Sequence, residues 1–340
     1  METDFFETKT QKNELKTTNK TEMADIKEIK DEVVKSDFFS ERDKKKELKG
    51  KIILGATLSS VILIIAVLFL IIGIIVVQGW DKFSWEFISS FPTDGMTKGG
   101  IFPAIIGTFI LVIVMSIAAV PFGTITAIYL TEYAKENSVF AAAVRFSVRT
   151  LAVVPSIIFG LFGLGFFIQF VGRGMDSTFN AGELHWAQPN ILWASLTMAL
   201  LTLPVVIVSV EEALKTVPRE LREASLALGA TKWQTIKNVV LPGSVSGILT
   251  GTILAVSRGA GEVAPILFTG AAYYLATLPK SVSDQFMNLG YHIYIMSTQS
   301  SDVEKTMPIQ FATTLVLLML TISLNIVAVV IRSRIRRKRV

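Results

Sequence analysis

The chain has 340 residues, 51% of them hydrophobic and 18% charged, with a mean hydropathy of +0.53; a protein that buries one apolar core and wets its surface does not have this balance. With no cysteine and two histidines, His185 and His292, it offers no disulfide framework, Cys-ligated zinc, iron–sulfur cluster, thiol nucleophile or His-rich metal centre, so no cofactor is expected. The net charge of +5 would suggest nucleic acid if the bases formed one patch, but they gather beside apolar segments, which points to a membrane and away from a nucleic-acid partner.

Residues 1–50 mix thirteen acids with twelve bases and hold no sustained apolar period, the composition of a solvated, disordered tail. The first apolar window follows too long and too acidic a stretch to be a cleaved secretory signal. Six windows, 52–78, 102–131, 141–171, 191–211, 244–277 and 309–331, are long enough to cross the roughly 30 Å hydrocarbon layer as helices. The expected fold is therefore all-α and polytopic, with six transmembrane helices in one domain over residues 51–340. Pro155 breaks the third window, and Gly259, Gly261 and Pro265 break the fifth; such breaks are tolerated where neighbouring protein satisfies the freed backbone groups.

Basic residues are retained on the cytoplasmic side. If residues 1–50 lie inside, the inner connections carry twenty Lys and Arg, running from Arg42 through Lys135, Arg145 and Lys215 to Arg339, and the outer ones only Lys82, Lys98, Arg173, Lys280 and Lys305. Both termini are expected in the cytoplasm of a cell whose plasma (inner) membrane holds the chain. Arg145 and Arg149 are expected to act as orientation anchors, Trp80, Trp186 and Trp193 as interfacial anchors, and the two histidines as solvated loop residues. Tyr273, Tyr274, Tyr291 and Tyr294 belong to the external segment after span five, where they would pack over the bundle or touch an external protein.

Residues 212–243 form a connection too long for a simple turn. Pro218 suits a first helical turn, and Leu221, Ala224, Ser225 and Leu228 follow a helical period until Gly229 stops it. Thr231-Lys232-Trp233-Gln234 has the form of a capping box opening a second helix, expected to end near Leu241-Pro242. The small apolar stripe either packs on the chain's own bundle or plugs into a partner protein.

Only Arg258 and Glu262 fall deep within a span; four residues apart, they are expected on one helical face. A charge at the bilayer centre costs at least ~2.5–3.5 kcal/mol, so the two are either a silent ion pair steadying a broken helix or working groups on a watery path.

Glu223-Ala224-Ser225, Gly229 and Val239-Val240-Leu241-Pro242 resemble the EAA loop of ABC-importer permeases, with Ser225 where Ala is usual. The match extends to Val154-Pro155-Ser156-Ile157-Ile158-Phe159-Gly160, to Arg258-Gly259-Ala260-Gly261-Glu262-Val263-Ala264-Pro265, and to Gln285-Phe286-Met287 with Tyr291-His292-Ile293-Tyr294. Over residues 51–340 the chain is similar to permeases of phosphate-specific ABC transporters, to the A subunit (PstA) rather than the C subunit, with Val263 where Thr is frequent. The resemblance implies the type I ABC importer permease fold and a subunit of an ATP-driven phosphate importer. It implies a homologous permease as heterodimer partner, a cytoplasmic ATPase dimer and an external phosphate-binding protein, and it makes Arg222, Glu223, Ala224, Ser225, Leu228, Gly229 and Thr231 the ATPase coupling residues. Arg258 would then offer a fork of donors to passing phosphate while Glu262 holds the guanidinium. The chain has no Gly-x-x-x-x-Gly-Lys-Ser/Thr segment, so the energy of a pump would come from a separate ATPase chain and this chain would be no enzyme. Two rival functions stand beside this one: a permease for another oxyanion, and a membrane scaffold or sensor reporting phosphate status to a cytoplasmic regulator.

Overall fold

The computed structural model describes residues 46–47, 49–94, 98–135, 137–275, 277–300 and 303–337. The tail expected over 1–50 lies almost wholly outside these residues, as do Lys338 and Arg339. The chain divides into two compact units, residues 1–72 and 73–340. The described part of the first is helical, and from Lys49 to Ile72 every residue is exposed, as a helix bathed in lipid would be.

Among the described residues, six helices are long and apolar enough to cross a membrane. They are α1 (Lys49–Lys82), α3 (Phe102–Ile128, prolonged by a π turn over Tyr129–Tyr133), α5 (Ser156–Phe162, continuing through a π stretch Gly163–Gly172 into α6, Arg173–Phe179), α7 (Ile191–Lys215), α10 (Leu241–Ala260) and α12 (Val303–Arg337). Shorter helices α2 (Trp85–Ser89), α4 (Val139–Leu151), α8 (Arg219–Ala227), α9 (Lys232–Thr235) and α11 (Leu289–Thr298) fill the connections, with one small hairpin, β1 (Pro92–Thr93) against β2 (Lys98–Gly99).

Two expected boundaries are corrected. The window 141–171 holds two elements, because Pro155 disfavours helical geometry at Val154 and cannot continue the ladder itself: amphipathic α4 stops at Leu151, and the span proper begins at Ser156. The expected stop at Leu241-Pro242 does not occur. A π turn at Ile236–Val240 carries α9 directly into α10, and the wider turn just before Pro242 accommodates a residue that cannot donate to the helical ladder. The fifth span therefore covers Lys232–Ala260 rather than 244–277.

Within residues 73–340, α3 packs along α7, α7 along α10, and α11 and α10 on α12. Three apolar clusters follow one another along this bundle. Met287, Leu289, Ile295 and Ile309 lie at one end, Leu111, Met115, Met198 and Phe286 in the middle, and Leu130, Val148, Val210 and Leu214 at the other. Side chains cap the helix starts: Asn190 accepts the N–H of Trp193 (2.8 Å), and Asn288 that of Tyr291 (3.1 Å). At Gly107 the carbonyl of Met287 approaches so closely that a Cβ would lie 2.0 Å from its oxygen, so this glycine admits the 285–288 segment into the bundle.

Candidate functional site

Both broken helices meet at one place. α10 ends at Ala260, where Gly261 donates to the carbonyl of Arg258 (3.2 Å) and Glu262 to that of Gly259 (3.1 Å). The chain then makes a 3₁₀ turn over Ala264–Leu267, which packs on α5. Gly160 of α5 is what lets it in: a Cβ there would lie 3.0 Å from the Pro265 carbonyl oxygen and 3.1 Å from that of Ala264. Pro155 and Pro265, far apart in sequence, thus open two helices against each other.

Beside this junction lies a cleft of about 240 Å³ lined by Pro155, Ser156, Thr202, Arg258, Gly259 and Glu262, among others. Glu262 is past the helix end, so the expectation that the two charges share one helical face is corrected; the tight turn after Ala260 folds the carboxylate back instead. Arg258 Nε stands 3.8 Å from Glu262 Oε1, with the Arg258 side chain 72% exposed and that of Glu262 27%. This is a long, single contact to one nitrogen, unlike the short bidentate pairing of guanidinium and carboxylate. Among the described residues no other group bonds the Arg258 guanidinium, which leaves most of its donor fork open to the cleft.

The connection between α7 and α10 forms the helix, glycine turn, helix unit read from the sequence. α8 begins after Pro218, Gly229 takes φ +87°, and Thr231 and Gln234 make the reciprocal capping box of α9. The seven residues assigned to ATPase coupling do not share one face. Arg222 turns inward: it meets Glu132 at 3.0 Å and donates to the carbonyls of Leu214 (2.8 Å) and Val217. The Ser225 and Thr235 hydroxyls lie 2.9 Å apart, tying α8 to the turn that leads into α10. Glu223, Ala224, Leu228, Gly229 and Thr231 are exposed, Leu228 to 90%, together with Leu221 and Trp233. The polar residues Arg222 and Ser225 thus hold the unit to the bundle, while Leu221, Ala224 and Leu228 of the stripe remain exposed.

Sequence reasoning missed Glu132, on the π turn ending α3, since nothing local marks it as the partner of a residue 90 positions away. It also misplaced two others. Trp193 is no interfacial anchor: it is buried, stacked on Phe167, its indole N–H donating to the Trp186 carbonyl (2.7 Å). His292 is not solvated, because α11 presses it inward until 3% of it is exposed, and burial lowers its pKa to about 4. Arg145 does more than sit at an interface, donating to the Leu130 carbonyl (2.8 Å) and pairing with Glu211 (3.2 Å), which Lys215 shares (2.9 Å). In the segment before α11, the backbone N–H groups of Lys280 and Ser281 donate to Asp284 and hold its carboxyl below the usual range.

Residues 119–337, which include both broken helices and the α8–α9 unit, match the family of binding-protein-dependent transport system inner membrane components. The chain belongs to this family. Among curated proteins, the permease is 29% identical to the probable ABC transporter permease protein YqgI of Bacillus subtilis over 70% of this chain and 79% of that one. It is 32% identical to the phosphate transport system permease protein PstA 1 of Mycobacterium tuberculosis, covering 71% and 75%. Among solved structures, a chain of the bacterial alginate ABC transporter in complex with alginate pentasaccharide-bound periplasmic protein superposes with a TM-score of 0.60 at 17% identity, over 83% of this chain and 94% of that one. The permease is thus an all-α, multi-pass transport component with the type I ABC importer permease fold, as the sequence resemblance implied.

Proposed function

We propose that the chain is the membrane-spanning permease subunit of an ATP-driven importer of inorganic phosphate. In this reading it forms half of the translocation path beside a homologous permease, with an external phosphate-binding protein on one side and an ATPase dimer, encoded separately, on the other. Phosphate as substrate rests on the likeness to PstA 1 over three quarters of that protein's length. Both termini and the α8–α9 unit lie on the cytoplasmic side, as the distribution of Lys and Arg supports.

The observation that carries the path assignment is the open fork of Arg258. A pair built only to steady a helix would be short and enclosed; here the guanidinium keeps free donors where the fifth span breaks off, inside a cleft framed by two broken helices. Its positive charge and planar donors suit phosphate oxygens, and the distant Glu262 lowers the local charge enough for the anion to leave again. The pair is neutral overall, so the second permease supplies further positive charge.

The test is phosphate uptake by the assembled complex in vesicles carrying Arg258→Gln, Glu262→Gln or both. Arg258→Gln is expected to leave assembly intact and cut uptake by at least about 100-fold, the loss of one charge-assisted contact of ~3 kcal/mol. Near-normal uptake by an assembled double variant would reject a direct role for Arg258 and leave a structural pair.

A further inference from the structure

At the end of the bundle that holds Glu132 and Arg222, α3, α4, α7 and α8 enclose a second cleft, about 580 Å³ in volume. A smaller one of about 340 Å³ opens beside it and shares Leu130, Arg145 and Lys215 in its walls. Volumes of ~300–1,000 Å³ suit small ligands, and this lining is polar and basic.

The charges divide into those already matched and those still open. Glu132 is matched by Arg222 at 3.0 Å, and Glu211 is shared by Arg145 and Lys215, which leaves one positive charge in excess. Lys135 and Arg219 also line the larger cleft and are exposed, and among the described residues no carboxylate pairs with either. Glu223 is the one unmatched carboxylate in that wall. The balance is positive, and two further features favour an anion. The buried Thr131 hydroxyl, in the same wall, has no hydrogen-bond partner. The first turn of α8, which begins at the lining residue Arg219, has no side-chain cap.

Position selects the kind of anion. Lys215 closes the span of α7, and Tyr133, beside Ala134 and Lys135, closes that of α3; the cleft is therefore level with the boundary of the apolar layer. α4 adds Val139, Phe140 and Phe146, all exposed, on the same helix as Arg145 and Arg149, the make-up of a helix lying in a membrane interface. Basic pockets between spans at this depth hold lipid headgroups.

We propose that this cleft binds the phosphate-bearing headgroup of an anionic phospholipid, bracing α8 against α3 and α7 through a lipid as well as through the Arg222–Glu132 pair. The assignment depends on the helices crossing a membrane and not on what the permease transports, so it stands or falls separately from phosphate import.

The full-length chain, purified and stripped of lipid in detergent, is titrated with phosphatidylglycerol and with phosphatidylcholine, and bound lipid is counted by native mass spectrometry. The wild type is expected to prefer phosphatidylglycerol. Lys135→Gln with Arg219→Gln is expected to weaken that binding by about 30-fold, the effect of two basic groups beside an anionic headgroup, with phosphatidylcholine binding unchanged. The charge-keeping double variant Lys135→Arg with Arg219→Lys should retain the preference, and so should Lys82→Gln with Lys280→Gln at the other end of the bundle. An unchanged preference in the neutral double variant would overturn the proposal. So would displacement of phosphatidylglycerol by millimolar inorganic phosphate, which would make the cleft a site for a free oxyanion instead.

Discussion

At the scale of single residues, His292 shows how burial turns an unremarkable side chain into a pH-dependent one. Its pKa in the fold is about 4 because 3% of the residue is exposed, whereas the unfolded chain titrates near the ordinary value of about 6.5. Above the ordinary value both states are neutral and the residue adds no pH dependence. As pH falls from there towards 4, the unfolded chain takes up a proton that the fold refuses, and stability declines by up to about 1.4 kcal/mol per pH unit. The thermal midpoint in detergent is therefore expected to drop between pH 7 and pH 5, and His292→Gln to flatten the drop. His185, exposed, serves as control: His185→Gln should leave it unchanged. An equal pH response in all three proteins would show that His292 is not the source.

At the scale of elements, the Glu132–Arg222 pair decides whether α8 moves with the bundle or independently of it. The pair is mostly enclosed, with side-chain exposures of 9% and 17%, and Arg222 also gathers carbonyls at the end of α7. Leaving either charge alone costs on the order of 2 kcal/mol. Glu132→Gln and Arg222→Gln are each expected to preserve membrane insertion while lowering transport per ATP hydrolysed by the complex. The double variant is expected to be less impaired than the sum of the singles, with a coupling of roughly 0.5–3 kcal/mol. Strict additivity in stability and in coupling ratio would rule out a shared clamp.

The same elements mark the limit of what local sequence carries. The capping box at Thr231 and Gln234 and the positive φ of Gly229 are short-range facts, and both are legible from spacing alone. The breaks at Pro155 and after Gly259 are legible too, since they follow from a missing donor and a missing Cβ. The π turn at Ile236–Val240 is not, because its extra residue per turn shows only as a register shift once α10 packs on α7. The partnership of Arg222 with Glu132 and the burial of Trp193 and His292 depend on which elements come together, and hydropathy is silent on that. Charge placement identified Arg258 and Glu262, yet the turn that sets them 3.8 Å apart lies outside any helical period.

At the scale of the whole molecule, the absence of cysteine makes orientation directly measurable, since single cysteines can be introduced without removing any. Glu183 lies in the connection between α6 and α7, and Lys237 on the π turn after α9; both are exposed. In intact cells a membrane-impermeant maleimide is expected to label Glu183→Cys, and to reach Lys237→Cys only after permeabilisation. The reverse pattern would invert the topology and place the α8–α9 unit away from any cytoplasmic ATPase.

The exposed guanidinium of Arg258 also bears on the birth of the protein. A newly inserted chain without a companion carries a charged side chain 72% exposed at the broken end of its fifth span, at a cost that rises with its depth in the hydrocarbon. A companion that covers this face removes the penalty, so an orphan copy differs physically from an assembled one in a way that proteases surveying the bilayer can detect. If the proposed companion permease covers this face, copies made without it are expected to be degraded faster than assembled ones, and the residue proposed to handle the cargo would double as the mark of an unfinished assembly.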